Sequence, residues 1–293
     1  GLTLAELLLL SLFGMPPWEA LLHSLTTLAT GGYSPKTASI AAYPGPLIQW
    51  TIVLFMFLAG TNFGLQYFAL RGELGALVRN AEFRLYGAVV LAGGLLLASL
   101  VGASGLASGE AALRAGFFQA TSILTTTGYA TYDFGAWPAF AQGLLLLFMF
   151  FGGCSGSTGG GMKHIRLLLL ARVAGAHLRA VLHPLSVVHV RANGHTATPH
   201  ELRGLEAFLF LYLAAWGVGT LVLAFLGQDL LTALSAAASA LGNVGPGLGA
   251  VGPAENYAAL PALAKWLLSF LMLLGRLEVI PLMALFSRAL WGR

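Results

Sequence analysis

Charge is scarce in this 293-residue sequence: Asp, Glu, Lys and Arg together make up 9% of it, against about a quarter in an ordinary soluble domain. Hydrophobic residues make up 57%, and the mean hydropathy is +0.81. A soluble helical core would need polar helix faces, and the apolar runs mostly lack them, which argues against a soluble fold. A single cysteine, Cys154, excludes a disulfide framework within the chain. Positive charge is missing from residues 1–15, so no secretory signal peptide is expected there. Paired catalytic groups are missing too. His177, His183, His189, His195 and His200 lie in a basic segment without metal-ligand spacing, and no apolar span carries an acid beside a nucleophile. The chain is therefore not read as an enzyme.

Long apolar runs are what the sequence has. Residues 45–70, 85–107, 136–151 continuing past a glycine cluster to 173, 205–226 and 260–287 approach or exceed the ~20 residues a helix needs to cross a bilayer. The expected fold class is an all-α polytopic membrane protein. Arg71, Arg79 and Arg84, then Lys163, Arg166, Arg172, Arg179, Arg191 and Arg203, and finally Arg288 and Arg293, mark three cytoplasmic regions by the positive-inside rule. Residues 31–46, 104–136 and 243–262 then face outside, where Glu19, Glu110, Asp133, Asp229 and Glu255 outnumber Lys36, Arg114 and Lys265. A negative vestibule concentrates cations, although solvated loop charges explain the same acids equally well.

Between the spans lie segments too short to cross and too regular for loops: "PPWEALLHSLTTLATGGYSP" (16–35), "SGEAALRAGFFQATSILTTTGYATYDF" (108–134) and "GQDLLTALSAAASALGNVGPGLG" (227–249). Each opens on an acid, Glu19, Glu110 or Asp229, with Pro or Gly just before it, runs about three turns and ends in glycine. This is an internal repeat of span, short helix, glycine loop and span, seen three times. A short helix entering from outside aims its C-terminal carbonyls at the membrane centre, where they attract a cation. The loops "ATGGYS" (Thr30, Gly31, Gly32, Tyr33), "TTTGYA" (Thr126, Thr127, Gly128, Tyr129) and "GNVGPG" (Asn243, Val244, Gly245, Pro246) could line a path with carbonyls that replace an ion's hydration shell, as potassium filters do. Glycine at 32, 128 and 245 keeps side chains out of that path and permits positive φ.

The run "GGCSGSTGGGMKHIR" (152–166) breaks an apolar stretch with six glycines, each unfavourable in a helix by about 1 kcal/mol. Gly156 would lie about 28 Å below Trp137 if the chain were helical, and bending at the glycines would leave the segment hanging below the filter. Ser155, Ser157 and Thr158 supply hydroxyls for the freed backbone groups. A phosphate-binding loop does not fit, because Met162 separates the last glycine from Lys163 and His164 follows. An ion-coupled secondary transporter with broken helices shares the glycine breaks but does not predict the repeated short helices.

The strings "HSLTTLATGGYSPKTASI", "TSILTTTGYATYDFGAWP", "FFGGCSGSTGGGMKHIRLLLL", "GNVGPGLG" and "GRLEVIPLMALFSRALW" together resemble the membrane subunit of the Trk/Ktr/HKT superfamily of potassium transporters, most closely the bacterial Trk type. The resemblance implies potassium uptake across a bacterial inner membrane, with potassium as the transported ion and no cofactor in this chain. It implies filter loops at the residues named above and an intramembrane gate formed by Gly156, Ser157, Thr158, Gly159, Gly160, Gly161 and Lys163. It also implies a homodimer in the lipid bilayer with a cytoplasmic nucleotide-binding regulatory subunit, and no nucleic-acid partner. That family has four repeats around one pore, and three are found here, so a fourth filter repeat is expected outside this sequence or from a partner that closes the ring. The expected units are residues 1–71, a pore repeat whose first helix is short; 72–175, a pore repeat with the gating loop at 152–163; 176–202, a cytoplasmic linker; and 203–293, the last pore repeat. Basic and apolar residues alternate over 174–203, which fits an interfacial helix at the inner surface and a plain linker equally well.

Arg276 is eleven residues beyond Lys265, which places it about 16 Å deep, close to the membrane centre. A charge there is expensive and marks a functional candidate. Glu278, two positions on, points to a different helix face. Arg276 either faces the cavity as an electrostatic barrier or hydrogen-bonds pore-loop carbonyls and holds the filter in place.

Overall fold

The computed structural model describes residues 1–183 and 190–277. The first unit comprises α1 (Leu2–Leu12), the short α2 (Pro17–Leu28), and α3 (Pro46–Ala59) with α4 (Phe63–Leu70). After α5 (Leu74–Arg79) comes the second unit: α6 (Ala81–Ala103), the short α7 (Gly109–Leu124), α8 (Ala139–Phe148) and α9 (His164–Leu182). The third has α10 (Pro199–Phe225), the short α11 (Leu230–Gly242) and α12 (Ala262–Arg276). The chain is thus an all-α polytopic membrane protein. Among the described residues α6 and α10 are long and apolar enough to cross a membrane alone, and α3 with α4 would make a third bent span.

The helix starts follow from local chemistry. Pro17 and Pro46 occupy first-turn positions where their missing N–H costs nothing. Asp229 caps α11 by accepting from the Thr232 amide at 3.1 Å. Thr198 and Glu201 form a reciprocal capping box at the head of α10. In the first turn of α2, Glu19 pairs with Lys36 at 2.8 Å and accepts from Tyr43 at 2.6 Å, and these two partners hold its carboxyl below the usual carboxylate range.

Three buried clusters centre on the three units and run across their boundaries, Val244 joining the second and Tyr129 the first. Leu10, Ile52 and Met56 gather around α2; Leu97, Ile123 and Leu145 gather in the second unit; Leu223, Leu241 and Leu268 gather in the third. Helices α7 and α11 are buried along most of their length, including small and polar residues such as Ser122, Ser235 and Ser239, whereas α2 buries one side, with Ala20, His23, Ser24, Thr27 and Leu28, and leaves Trp18 and Leu25 exposed. Small residues allow the close helix approach on which packing in lipid depends. At Gly116 an added Cβ would lie 2.6 Å from the Gly94 carbonyl of α6, so α7 could not come this close with any larger residue.

Two expectations need correction. Residues 45–70 do not form one continuous helix: α3 and α4 meet at 105°. Gly60 gives its carbonyl to the Cys154 amide at 2.7 Å instead of to the helix ladder, and Asn62 starts a new helix by accepting from Leu65 N at 3.2 Å. Of the two readings of residues 174–203, an interfacial helix does not hold throughout. Helix α9 ends at Leu182, and a hairpin of β1 (Arg191–Ala192) and β2 (His195–Thr196) turns at Asn193 and Gly194, both at positive φ. Glu278, Arg288, Arg293 and the end of the 260–287 run lie outside the described residues.

The orientation is open to a direct test. Cys154 is buried, so single cysteines can be read in a Cys154→Ser background. A cysteine at exposed Ser108 should react with an impermeant thiol reagent in intact cells, and one at exposed Arg191 only after permeabilisation. Labelling of position 191 from outside would overturn the assignment.

Candidate ion-conduction site

At the C-terminal end of each short helix the backbone takes the same unusual course. Thr30 and Gly32 have φ of +50° and +63°, Thr126 and Gly128 have +59° and +85°, and Asn243 and Gly245 have +57° and +109°. Two left-handed residues flank one ordinary residue in all three units. Handedness that alternates in this way lets successive carbonyls face one side, which a uniform strand does not do.

The amides are accounted for in the same repeated way. Gly31 N and Gly32 N turn back to Thr26 O at 2.8 and 3.4 Å. Thr127 N and Gly128 N turn back to Ser122 O at 2.9 and 3.2 Å. Val244 N bonds Ser239 O at 2.9 Å, and Gly245 N bonds the Ser239 hydroxyl at 3.1 Å. Thr26, Ser122 and Ser239 each lie six positions before their glycine. With the donors turned outward, the carbonyls are left to face the other side. Among the described residues no hydrogen bond reaches the carbonyls of Gly31, Thr127 or Val244.

These three loops meet. A Cβ on Gly32 would run into the Thr127 carbonyl, and one on Gly128 into the Val244 carbonyl, so each glycine closes on the loop of the next unit. Gly245 meets nothing within 4 Å, which leaves that side of the ring open among the described residues. A cavity of about 280 Å³ runs between Gly31, Thr127, Asn243, Val244 and Pro246, and one of about 300 Å³ lies above it against Lys36, Glu255 and Tyr257.

The two tyrosines named from the sequence part company. Tyr33 is exposed and lines the upper cavity, whereas Tyr129 is fully buried. The Tyr129 hydroxyl lies 2.6 Å from Thr26 Oγ1, tying the second loop to the first short helix, and its carbonyl accepts from Ser122 at 2.6 Å. Thr126 and Thr127 are buried, and the Thr127 hydroxyl pairs with Thr125 at 2.7 Å.

Beneath the loops lies the glycine-rich segment between α8 and α9. Phe150, Gly152 and Met162 close its neck, with Gly152 N on Met162 O at 2.9 Å and Met162 N on Phe150 O at 3.1 Å. Its lower turn rests on α4 and α6, and its upper part reaches the ends of all three short helices. The Thr158 hydroxyl donates to Leu28 O at 3.0 Å. A Cβ on Gly159 would lie 2.9 Å from Thr125 O, and one on Gly160 would lie 2.6 Å from Gly242 O. Gly160 N also donates to Thr126 Oγ1 at 2.6 Å. Lys163 turns its ammonium back onto the Gly159 carbonyl, and Gly156 and Gly161 take positive φ. Arg276 reaches this segment, not the glycine loops: its Nη1 donates to Thr158 O at 3.0 Å. Gly275 makes this possible, because an added Cβ there would collide with the Leu241 carbonyl, so α12 presses directly on the end of α11.

Sequence reasoning named Thr30, Thr126 and Asn243 but not their left-handed backbone, and it missed three contributors: the acceptor positions Thr26, Ser122 and Ser239, the elbow at Gly60 to Asn62, and Glu82. The Gly-Thr-Asn string inside an apolar run was a readable signal for the elbow, since Asn is a strong helix N-cap. Nothing in the sequence pointed to Glu82.

A family model described as TrkH, cation transport protein, matches residues 10–74 and 102–292. The chain is 36% identical over 292 residues to the Trk system potassium uptake protein TrkH of Salmonella typhimurium, covering 99% of this chain and 60% of that protein. It is 39% identical over 301 residues to the Trk system potassium uptake protein TrkI of Halomonas elongata, covering 99% and 59%. The crystal structure of the potassium transporter TrkH from Vibrio parahaemolyticus superposes with a TM-score of 0.92 at 35% identity, over 99% of this chain and 62% of that one. The chain thus spans about three fifths of the length of the relatives it matches.

Proposed function

This chain belongs to the TrkH family of cation transport proteins, and from that premise we propose that it forms three walls of a potassium uptake path across a bacterial inner membrane. The observation that carries the reading is the threefold backbone pattern: paired left-handed residues, amides turned back to the same acceptor position, and carbonyls left facing a shared cavity. Carbonyl dipoles in that arrangement replace the hydration shell of a dehydrated monovalent cation. Thr30 to Tyr33, Thr126 to Tyr129 and Asn243 to Pro246 are the filter segments, with Tyr33 at the mouth and Tyr129 acting as a brace behind it.

Gly156 to Gly161, with Lys163, form the gate. Its upper part contacts the last carbonyls of all three short helices and so fills the space an ion must enter on leaving the filter. Residues 1–71, 72–175 and 203–293 act as pore units and 176–202 as the linker between the last two. The open side at Gly245 is closed by a further segment or a partner. A homodimer in the bilayer and a nucleotide-binding regulatory subunit on the basic face complete the assembly.

Uptake of rubidium by cells lacking other potassium uptake systems tests the reading. Expression of the intact protein should restore uptake that excess potassium suppresses and excess sodium does not. Uptake insensitive to potassium, or absent with the protein correctly inserted, would overturn it.

A further inference from the structure

Ser155, in the lower turn of the glycine-rich segment, has both of its backbone polar groups held by side chains from other helices. Its amide donates to Glu82 Oε1 at 2.6 Å, and its carbonyl accepts from Asn62 Nδ2 at 2.6 Å. Glu82 sits in the first turn of α6 and is 4% exposed. The same Oε1 accepts from Ile165 N, in the first turn of α9, at 3.0 Å. One carboxyl oxygen therefore ties together two points on either side of the Thr158 to Gly161 stretch.

Asn62 is equally committed. Its Oδ1 caps α4 at Leu65 N, so its amide group is oriented before it meets Ser155. Cys154 N on Gly60 O at 2.7 Å and Phe63 N on Gly156 O at 3.2 Å flank the same point. A Cβ on Gly156 would stand 2.9 Å from Asn62 Nδ2, so glycine is what lets the turn close on the clamp.

We propose that Glu82 and Asn62 are positioning residues for the gate, forming a clamp on Ser155 that holds Thr158 to Gly161 beneath the filter. The inference rests on the gate reading above. Its physical basis is that a buried amide without an acceptor is costly, and two amides share Glu82 only in this arrangement of the loop. The clamp also gives the segment between the α3–α4 elbow and the start of α6 a direct hold on the loop, because Asn62 and Glu82 stand at its two ends. A displacement of residues 63–80 at the membrane surface is then passed to Ser155 without crossing the filter.

The experiment measures rubidium flux per folded molecule for the intact protein in proteoliposomes, with no regulator added. Glu82→Ala should raise basal flux about tenfold, and Glu82→Gln, which keeps an acceptor oxygen, should raise it less. Asn62→Asp keeps the cap on Leu65 but loses the donor to Ser155, and should act in the same direction even if Glu82→Ala fails to fold. The double variant should add little, because both residues act on one clamp, and neither should add anything once Gly159 to Gly161 are deleted. Unchanged or lowered flux at equal folded protein, or the same rise in the deleted background, overturns the clamp. If the unsubstituted protein itself carries no potassium-sensitive rubidium flux, the uptake reading falls and the clamp with it, and that outcome is distinct from normal flux with silent variants.

Discussion

Gly128→Ser is expected to lower potassium selectivity over sodium by about tenfold or more, in a protein that still inserts, and Gly32→Ser to do the same. At both positions a side chain costs the protein twice. A non-glycine residue at φ of +85° or +63° carries about 1–2 kcal/mol of strain. Its Cβ also falls inside contact distance of the neighbouring unit's carbonyl, Val244 O for Gly128 and Thr127 O for Gly32. Neither carbonyl is at the end of a flexible side chain, so the backbone itself has to shift, and in the proposed filter it is the backbone that sets the spacing of the carbonyl oxygens. Gly245→Ser provides the internal comparison. Its φ of +109° imposes strain, but nothing lies within 4 Å of the added atom among the described residues. The expected order of damage is therefore Gly32 and Gly128 ahead of Gly245. Rubidium uptake and sodium exclusion, measured on proteoliposomes with equal incorporated protein, check it. Selectivity unchanged in both Gly32→Ser and Gly128→Ser would remove these loops from the path.

What the sequence made legible is what repeats within it. The three short helices, their acidic or capped starts and their glycine endings recur at matching places, so periodicity and helix-end chemistry located α2, α7 and α11 and their loops. The helix break at 152–163 was legible because glycine is so poor in a helix. What stayed hidden depends on long-range partners. Asn62 reads at most as a helix cap inside an apolar run until Ser155 is brought against its amide group, and Glu82 reads as an ordinary first-turn acid until the Ser155 and Ile165 amides converge on one of its oxygens. The two tyrosines show the same limit. Tyr33 and Tyr129 follow the same Gly-Tyr pattern, yet one is exposed and the other buried, because among the described residues Tyr129 has a neighbouring short helix to which its hydroxyl bonds and Tyr33 has none. Equivalent positions in a repeat share a backbone; their surroundings differ from unit to unit.

Arg276→Gln is expected to raise potassium flux per folded molecule about tenfold with selectivity intact. The guanidinium donates to Thr158 O at 3.0 Å, while the Thr158 hydroxyl is bonded to Leu28 O and lies 3.3 Å from Ala59 O. Arg276 therefore draws the loop toward α12 at the point where the loop is already anchored to α2 and α3. A hydrogen bond from a charged donor is worth about 1.5–3 kcal/mol, and a tenfold change in an equilibrium is about 1.4 kcal/mol, so its weakening is enough to shift the loop's occupancy. Glutamine is shorter and uncharged, so the substitution weakens the tie and also removes a positive charge from the proposed ion route below the glycine loops. Both effects act in the same direction. Lysine separates them: Arg276→Lys keeps the charge but offers no planar fork, so flux raised by lysine as well as glutamine assigns the effect to the tie, and flux raised by glutamine alone assigns it to the charge. Selectivity should survive in each case, because Arg276 touches Thr158 and not the carbonyls of Gly31, Thr127 or Val244. Slower flux or lost sodium exclusion in Arg276→Gln at equal expression would mean that the side chain supports the filter itself, and the tie to the loop would then be incidental.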